Sequence, residues 1–105
     1  MNIGHIELFV NDPSMSKKFY VDVLGFTLIE EQGGGNFVWL KSGDTMILLR
    51  PGKDAPKCSE YSSAFMGLAI YTDDLSKTKN ELESRGLEFK GIDGSDSFLT
   101  LTHPH

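Results

Sequence analysis

The chain has 105 residues, 39% hydrophobic and 24% charged, with a formal net charge of −5. That length allows one modest core, and the acidic balance, with no basic spot denser than Lys17-Lys18, argues against a nucleic-acid surface. A single cysteine, Cys58, rules out an internal disulfide, no run reaches the ~18 apolar residues of a membrane span, and no charged-then-apolar leader opens the chain, so the cytoplasm is the expected compartment.

The first expected element is a strand over His5–Val10. Alternation puts Ile6, Leu8 and Val10 on one side and His5, Glu7 and Phe9 on the other. The aliphatic set should pack on a helix, and the set with ionisable groups should face a cavity or water. Asp12 reads as a helix cap with Pro13 at the first helical position. Met15, Phe19 and Val23, with Tyr20 and Leu24 beside them, form the expected apolar stripe, and Gly25 ends the helix. A short strand follows over Phe26–Glu31. Gln32-Gly33-Gly34-Gly35-Asn36 reads as a flexible hairpin loop, since no helix start or Lys-Ser/Thr follows to cradle a phosphate. Strands over Phe37–Lys41 and Thr45–Arg50 are joined by the turn Ser42-Gly43-Asp44.

Residues 51–63 have no periodicity and read as a linker. The pattern then repeats: Gly67 lies 62 positions after His5, within an expected strand over Phe65–Thr72 that ends in Asp73-Asp74. A second helix capped by Asp74 should bury Leu75, Thr78 and Leu82 and stop at Gly86. Strands over Leu87–Gly91 and Phe98–Thr102 flank the turn Asp93-Gly94-Ser95. A unit written twice is the sign of modules that cannot bury their apolar faces singly. The chain therefore reads as one domain of two modules, 1–50 and 64–105, the second lacking a final strand and leaving a sheet edge for another chain or a loop to cover.

This layout resembles the vicinal oxygen chelate superfamily of glyoxalase I, bleomycin-resistance proteins and extradiol dioxygenases. The resemblance is carried by His5-Ile6-Glu7-Leu8 before a short helix, Phe19-Tyr20 with Val23-Leu24-Gly25-Phe26, Asp73-Asp74-Leu75, Arg85-Gly86-Leu87, and the tail Leu101-Thr102-His103-Pro104-His105. It implies an α+β fold in which paired βαβββ modules form a cup-shaped mixed sheet, with helices on the convex side and a ligand in the hollow. It also implies a homodimer. Catalytic members bind a divalent metal such as Zn, Ni, Fe or Mn through four side chains, one each from the first and last strand of each module. Carried over, His5 fits the first position, Leu48 occupies the second and cannot coordinate, and Gly67 occupies the third. The fourth falls on the strand this sequence does not reach. One donor does not hold a divalent ion against water, so the expected cofactor is none.

Candidate site residues follow from the cup. His5 reads as a backbone-bonded strand-end histidine or as a ligand-binding group, and with Glu7 two residues on it forms a candidate acid/base pair. Arg50, on the face of Met46 and Leu48, is a candidate handle for a carboxylate or another anion. Phe37 and Trp39 share one strand face, either in the core or as the wall of a pocket for a planar ligand; alternation leaves open which. Tyr71, on the side of the small Gly67 and Ala69, points to space for a ligand. His103 and His105 read as surface histidines and Cys58 as a bystander thiol. The resulting expectation is a protein binding a small, partly aromatic or anionic molecule through His5, Glu7, Phe37, Trp39, Met46, Leu48, Arg50 and Tyr71, without a catalytic metal. The alternative is a metal-dependent, lactoylglutathione-lyase-like lyase or a dioxygenase.

Overall fold

The computed structural model describes residues 1–52, 68–87, 91–92 and 99–100. The chain divides into two units, one running over Met1–Pro56 and the other within Lys57–Thr102. In the first, β1 (Ile6–Val10) leads to α1 (Pro13–Lys18), a π-helical turn over Phe19–Val23, and then β2 (Thr27–Gln32), β3 (Phe37–Ser42) and β4 (Thr45–Pro51). The sheet order is β1-β4-β3-β2. β1 runs parallel to β4, and β4, β3 and β2 pair antiparallel. This is the expected βαβββ arrangement, a mixed four-stranded sheet.

Alternation decides what the sheet buries. Leu8 and Val10 of β1, Val38 and Leu40 of β3, and Ile47 and Leu49 of β4 are all buried, and α1 lies against β3 and β4. Each such side chain, fully buried, contributes about 1.5–3 kcal/mol. Of the expected stripe, Tyr20 is buried and Phe19, Val23 and Leu24 are half-buried, but Met15 departs from it. Met15 is 58% exposed, while Pro13, Ser16 and Tyr20 are buried. Positions 13, 16 and 20 lie three and four apart and therefore share a face, and the small Ser16 there lets the helix axis sit close to the sheet. The phase then changes where Leu24 N–H bonds to Phe19 O at 3.1 Å, the five-residue step of a π turn. Burial in this core pushes the Tyr20 phenol up. The Tyr20 ring stacks on Phe26 with centroids 5.7 Å apart.

In the second unit, α2 (Leu75–Ser84) starts as the sequence leads one to expect: Asp74 accepts a hydrogen bond from Lys77 N–H at 3.0 Å. Leu75, Thr78 and Leu82 are half-buried rather than buried. The Thr78 hydroxyl lies 2.7 Å from that of Thr72. The helix ends with Gly86 N–H on Glu83 O and Leu87 N–H on Leu82 O, the paired bonds of a Schellman motif. The repeat is visible in the caps. Asp12 has φ −135°, ψ 98° and Asp74 has φ −138°, ψ 97°, and each helix closes on a glycine of positive φ, Gly25 and Gly86.

Three further strands are expected in this unit, and the described residues cover part of each. Residues 68–72 pair with no strand among the described residues; 65–67 lie outside the described residues. Of the expected strands over Leu87–Gly91 and Phe98–Thr102, the described residues include the antiparallel pair β5 (Gly91–Ile92) with β6 (Leu99–Thr100), matching Gly91 to Thr100 and Ile92 to Leu99; 88–90, 98 and 101–102 lie outside the described residues. The intervening turn, Cys58, Gly67, His103, His105 and the expected open edge lie outside the described residues. No described helix is long and apolar enough to cross a membrane.

Candidate functional site

The side chains that alternation directs away from the helix meet on the other face of the first sheet. Register sets them in rows: Glu7 beside Leu48 and Leu48 beside Trp39, with Glu30 beyond, and Phe9 beside Arg50. Glu30 reaches this face because the β2–β3 register shifts between Leu28 and Glu30, an irregularity that re-aims side chains. Phe37 and Trp39 thus share the face of Glu7 and Arg50, which resolves the ambiguity left by alternation.

At its centre is a chain of three polar groups. Arg50 Nη1 donates to Glu7 Oε1 at 2.8 Å, and His5 Nε2 lies 3.1 Å from Glu7 Oε2. An ionised carboxylate only accepts, so the His5 ring donates there. The hydrogen bond from Arg50, and then that from His5, hold the Glu7 carboxyl below the usual carboxylate range. Aromatic rings surround the chain. The Arg50 guanidinium lies over Phe9 at 5.4 Å and over Phe37 at 5.3 Å, within cation–π range. The His5 ring meets Trp39 edge-on at 4.8 Å, and Trp39 Nε1–H donates to Gln32 Oε1 at 3.3 Å.

Two glycines set the rings that flank Arg50. A Cβ on Gly33 would lie 2.9 Å from the Phe37 ring, and one on Gly52 would lie 2.7 Å from Phe9 Cβ. The Gly33–Gly35 run is therefore a shaped 3₁₀ turn fitted against Phe37, where the sequence reads as a flexible loop. Phe9, Gln32, Gly33 and Gly52 were not singled out as site residues from sequence. Only Phe9 carried a signal, its alternation with His5 and Glu7.

The expected residues are not all equivalent here. His5, Glu7, Phe37, Trp39, Met46, Leu48 and Arg50 belong to this face, but Leu48 is only 5% exposed and forms its floor. Tyr71 is 94% exposed and belongs to the other unit. Near one end of the face, His5, Met46, Asp44 and Thr45 help line an open recess of about 240 Å³. That is smaller than the ~300 Å³ at which ligand pockets begin.

A divalent metal of the kind the resemblance implies fits poorly on the described side chains. His5 and Glu7 are the two donors near the metal position. They bond to each other, and the Arg50 cation sits 2.8 Å from the carboxylate, where it repels a second cation. Leu48 beside Glu7 supplies no donor. Among the described residues no three His, Cys, Asp or Glu side chains gather as a ligand set, whereas stable sites use three or four.

The sequence profile of the Glyoxalase/Bleomycin resistance protein/Dioxygenase superfamily matches residues 2–97. A catechol-2,3-dioxygenase of Bacillus subtilis is 28% identical over 103 residues, covering 89% of this chain and 35% of that protein; the chain spans about a third of that relative's length. Among solved structures, a possible glyoxalase from Bacillus cereus superposes with a TM-score of 0.76 at 18% identity, over 99% of this chain and 91% of that one. An antibiotic binding protein from Streptomyces sp. superposes with a TM-score of 0.65 at 28% identity, over 91% and 82%. With a match over most of its length and the βαβββ fold, the chain belongs to the glyoxalase/bleomycin resistance protein/dioxygenase superfamily.

Proposed function

We propose that this protein binds a small, partly aromatic molecule on the mixed face of its first sheet, without a catalytic metal. The observation that carries the reading is the face itself: Phe9, Phe37 and Trp39 stand around a hydrogen-bonded Arg50–Glu7–His5 chain on a sheet whose opposite face supplies the core. Apolar walls with a few placed polar groups are what a small-molecule site requires. The likeness to an antibiotic binding protein supports binding over turnover. A homodimer is part of the same proposal, and light scattering behind size exclusion tests it.

Trp39, the chain's only tryptophan, is a built-in reporter. A thermal-shift screen of aromatic compounds, followed by titration of intrinsic fluorescence, should give hits that both raise the melting temperature and change Trp39 emission saturably. Hits that leave Trp39 emission flat would place the ligand elsewhere.

The dioxygenase relative favours a second reading, a metal-dependent lyase or dioxygenase in which the ion polarises substrate oxygens. Elemental analysis of protein prepared without chelators separates the two. The binding reading expects well under one divalent ion per chain, and a stoichiometric ion would favour catalysis.

A further inference from the structure

We infer that Gln32 is a positioning residue of the mixed face: it fixes the orientation of the Trp39 indole, and with Gly33, which seats Phe37, it sets two aromatic walls of the site from a single turn. The inference rests on the binding reading above and names what preorganises that site.

Gln32 is the last residue of β2, and register sets it opposite Phe37, with Trp39 two residues further along β3 on the same face. Its side chain therefore reaches Trp39 on the diagonal, a span that long side chains cover. There Oε1 accepts the indole N–H at 3.3 Å. An indole on an open strand face has two broad orientations about its Cβ–Cγ bond. The bond to Gln32 selects the one that points Nε1 at position 32, and in that orientation the ring meets His5 at 4.8 Å. The indole N–H only donates, so an acceptor oxygen at position 32 does what bulk alone cannot.

The contacts run on from Trp39 and return to the same turn. From His5 they pass to Glu7 at 3.1 Å, from Glu7 to Arg50 at 2.8 Å, and from the Arg50 guanidinium to Phe37 at 5.3 Å. Phe37 fits against Gly33, where a Cβ would stand 2.9 Å from the ring. The circuit thus starts on Gln32 and closes on Gly33, its neighbour in sequence. Gln32 is extended, at φ −129° and ψ 161°, and Gly33, Gly34 and Gly35 follow at φ +60°, +69° and +94°. Three successive left-handed positions, which favour glycine, turn the chain immediately after Gln32. Groups held in place before binding lose less freedom when a ligand arrives. Releasing Trp39 from Gln32 therefore costs affinity while every ring of the face is still present.

Three proteins test this: the unaltered chain, Gln32→Leu, which keeps the bulk without an acceptor, and Gln32→Glu, which keeps an acceptor oxygen. Position 32 is exposed, so both variants should fold. Without ligand, the NMR signals of the His5 ring, displaced by the ring current of the adjacent indole, should move in Gln32→Leu and return in Gln32→Glu, and Trp39 emission should follow the same order. In calorimetric titration with 2-naphthol near neutral pH, Gln32→Leu should bind about three- to tenfold more weakly than the unaltered protein. Gln32→Glu should recover most of that loss. Weaker binding by Gln32→Leu with the ligand-free His5 signals unmoved would make Gln32 a direct ligand contact and overturn the inference, leaving the binding reading standing. Unchanged naphthol affinity in Gln32→Leu, or no recovery in Gln32→Glu, overturns it as well. If naphthol does not bind the unaltered protein, the binding reading falls, and the inference with it.

Discussion

The two faces of the first sheet are made from the same strands, one residue out of phase, and they have opposite fates. On one, Leu8, Val10, Val38, Leu40, Ile47 and Leu49 are buried with Tyr20 and Ser16. On the other, only Leu48 is buried, while Phe9 is 57% exposed and ion pairs lie among aromatic rings. The Arg50–Glu7–His5 chain is exposed, and exposed ion pairs add little to stability. Under the proposed function, this contrast reads as folding on one side and recognition on the other.

The largest expected effect breaks the contrast at the core. Leu40→Ala removes a fully buried side chain and should cost about 2–5 kcal/mol in denaturant unfolding. Trp39→Ala, its neighbour on the opposite face, should cost less stability yet weaken aromatic ligands by at least about tenfold. If the two variants lose equal stability and Trp39→Ala binds normally, the division between the faces is wrong.

Gly33→Ala comes next. Its φ of +60° is a left-handed position, costing about 1–2 kcal/mol for a side chain, and the new methyl must move the Phe37 ring. Both melting temperature and ligand affinity should fall; affinity unchanged alongside a lower melting temperature would mean that Phe37 is not part of the binding surface. Asp12→Ala removes a cap that accepts from Ser14 and Met15 N–H and should cost about 1 kcal/mol with affinity intact.

The smallest effect is one of pH. Folding lowers the Glu7 pKa, so its contribution to stability is complete above the ordinary carboxylate range and is lost as pH falls through the lowered native value. The melting temperatures of the unaltered protein and Glu7→Gln should therefore differ at neutral pH and converge in acid. A difference that persists at the acid end would contradict the Arg50–Glu7–His5 chain.

Much of this was legible in the sequence, for a physical reason. Strand side chains alternate strictly, so His5-Ile6-Glu7-Leu8-Phe9-Val10 sorts itself into two faces without coordinates, and Asp-x-x helix starts and closing glycines mark both modules. Helix phase was less legible: Met15 fits an apolar stripe at four-residue steps, yet Ser16 is the residue against the sheet. Hydrophobicity alone does not reveal that a small polar side chain can bring a helix closer. The partners within the site were hidden for another reason. Arg50 meets Glu7 across 43 residues of chain and Trp39 meets Gln32 across a turn, and both contacts depend on strand register, which one sequence does not print. The Gly33 turn had its composition in view but not the Phe37 ring it must clear.

The most direct test is a ¹H–¹⁵N spectrum of the protein titrated with 2-naphthol, following the indole N–H of Trp39 and the guanidinium N–H signals of Arg50. Both should shift together and saturate at one affinity, while amides of the buried strand positions Val38 and Leu49 move little. Calorimetric binding at the same affinity with the Trp39 and Arg50 signals unmoved would contradict the assignment of recognition to this face.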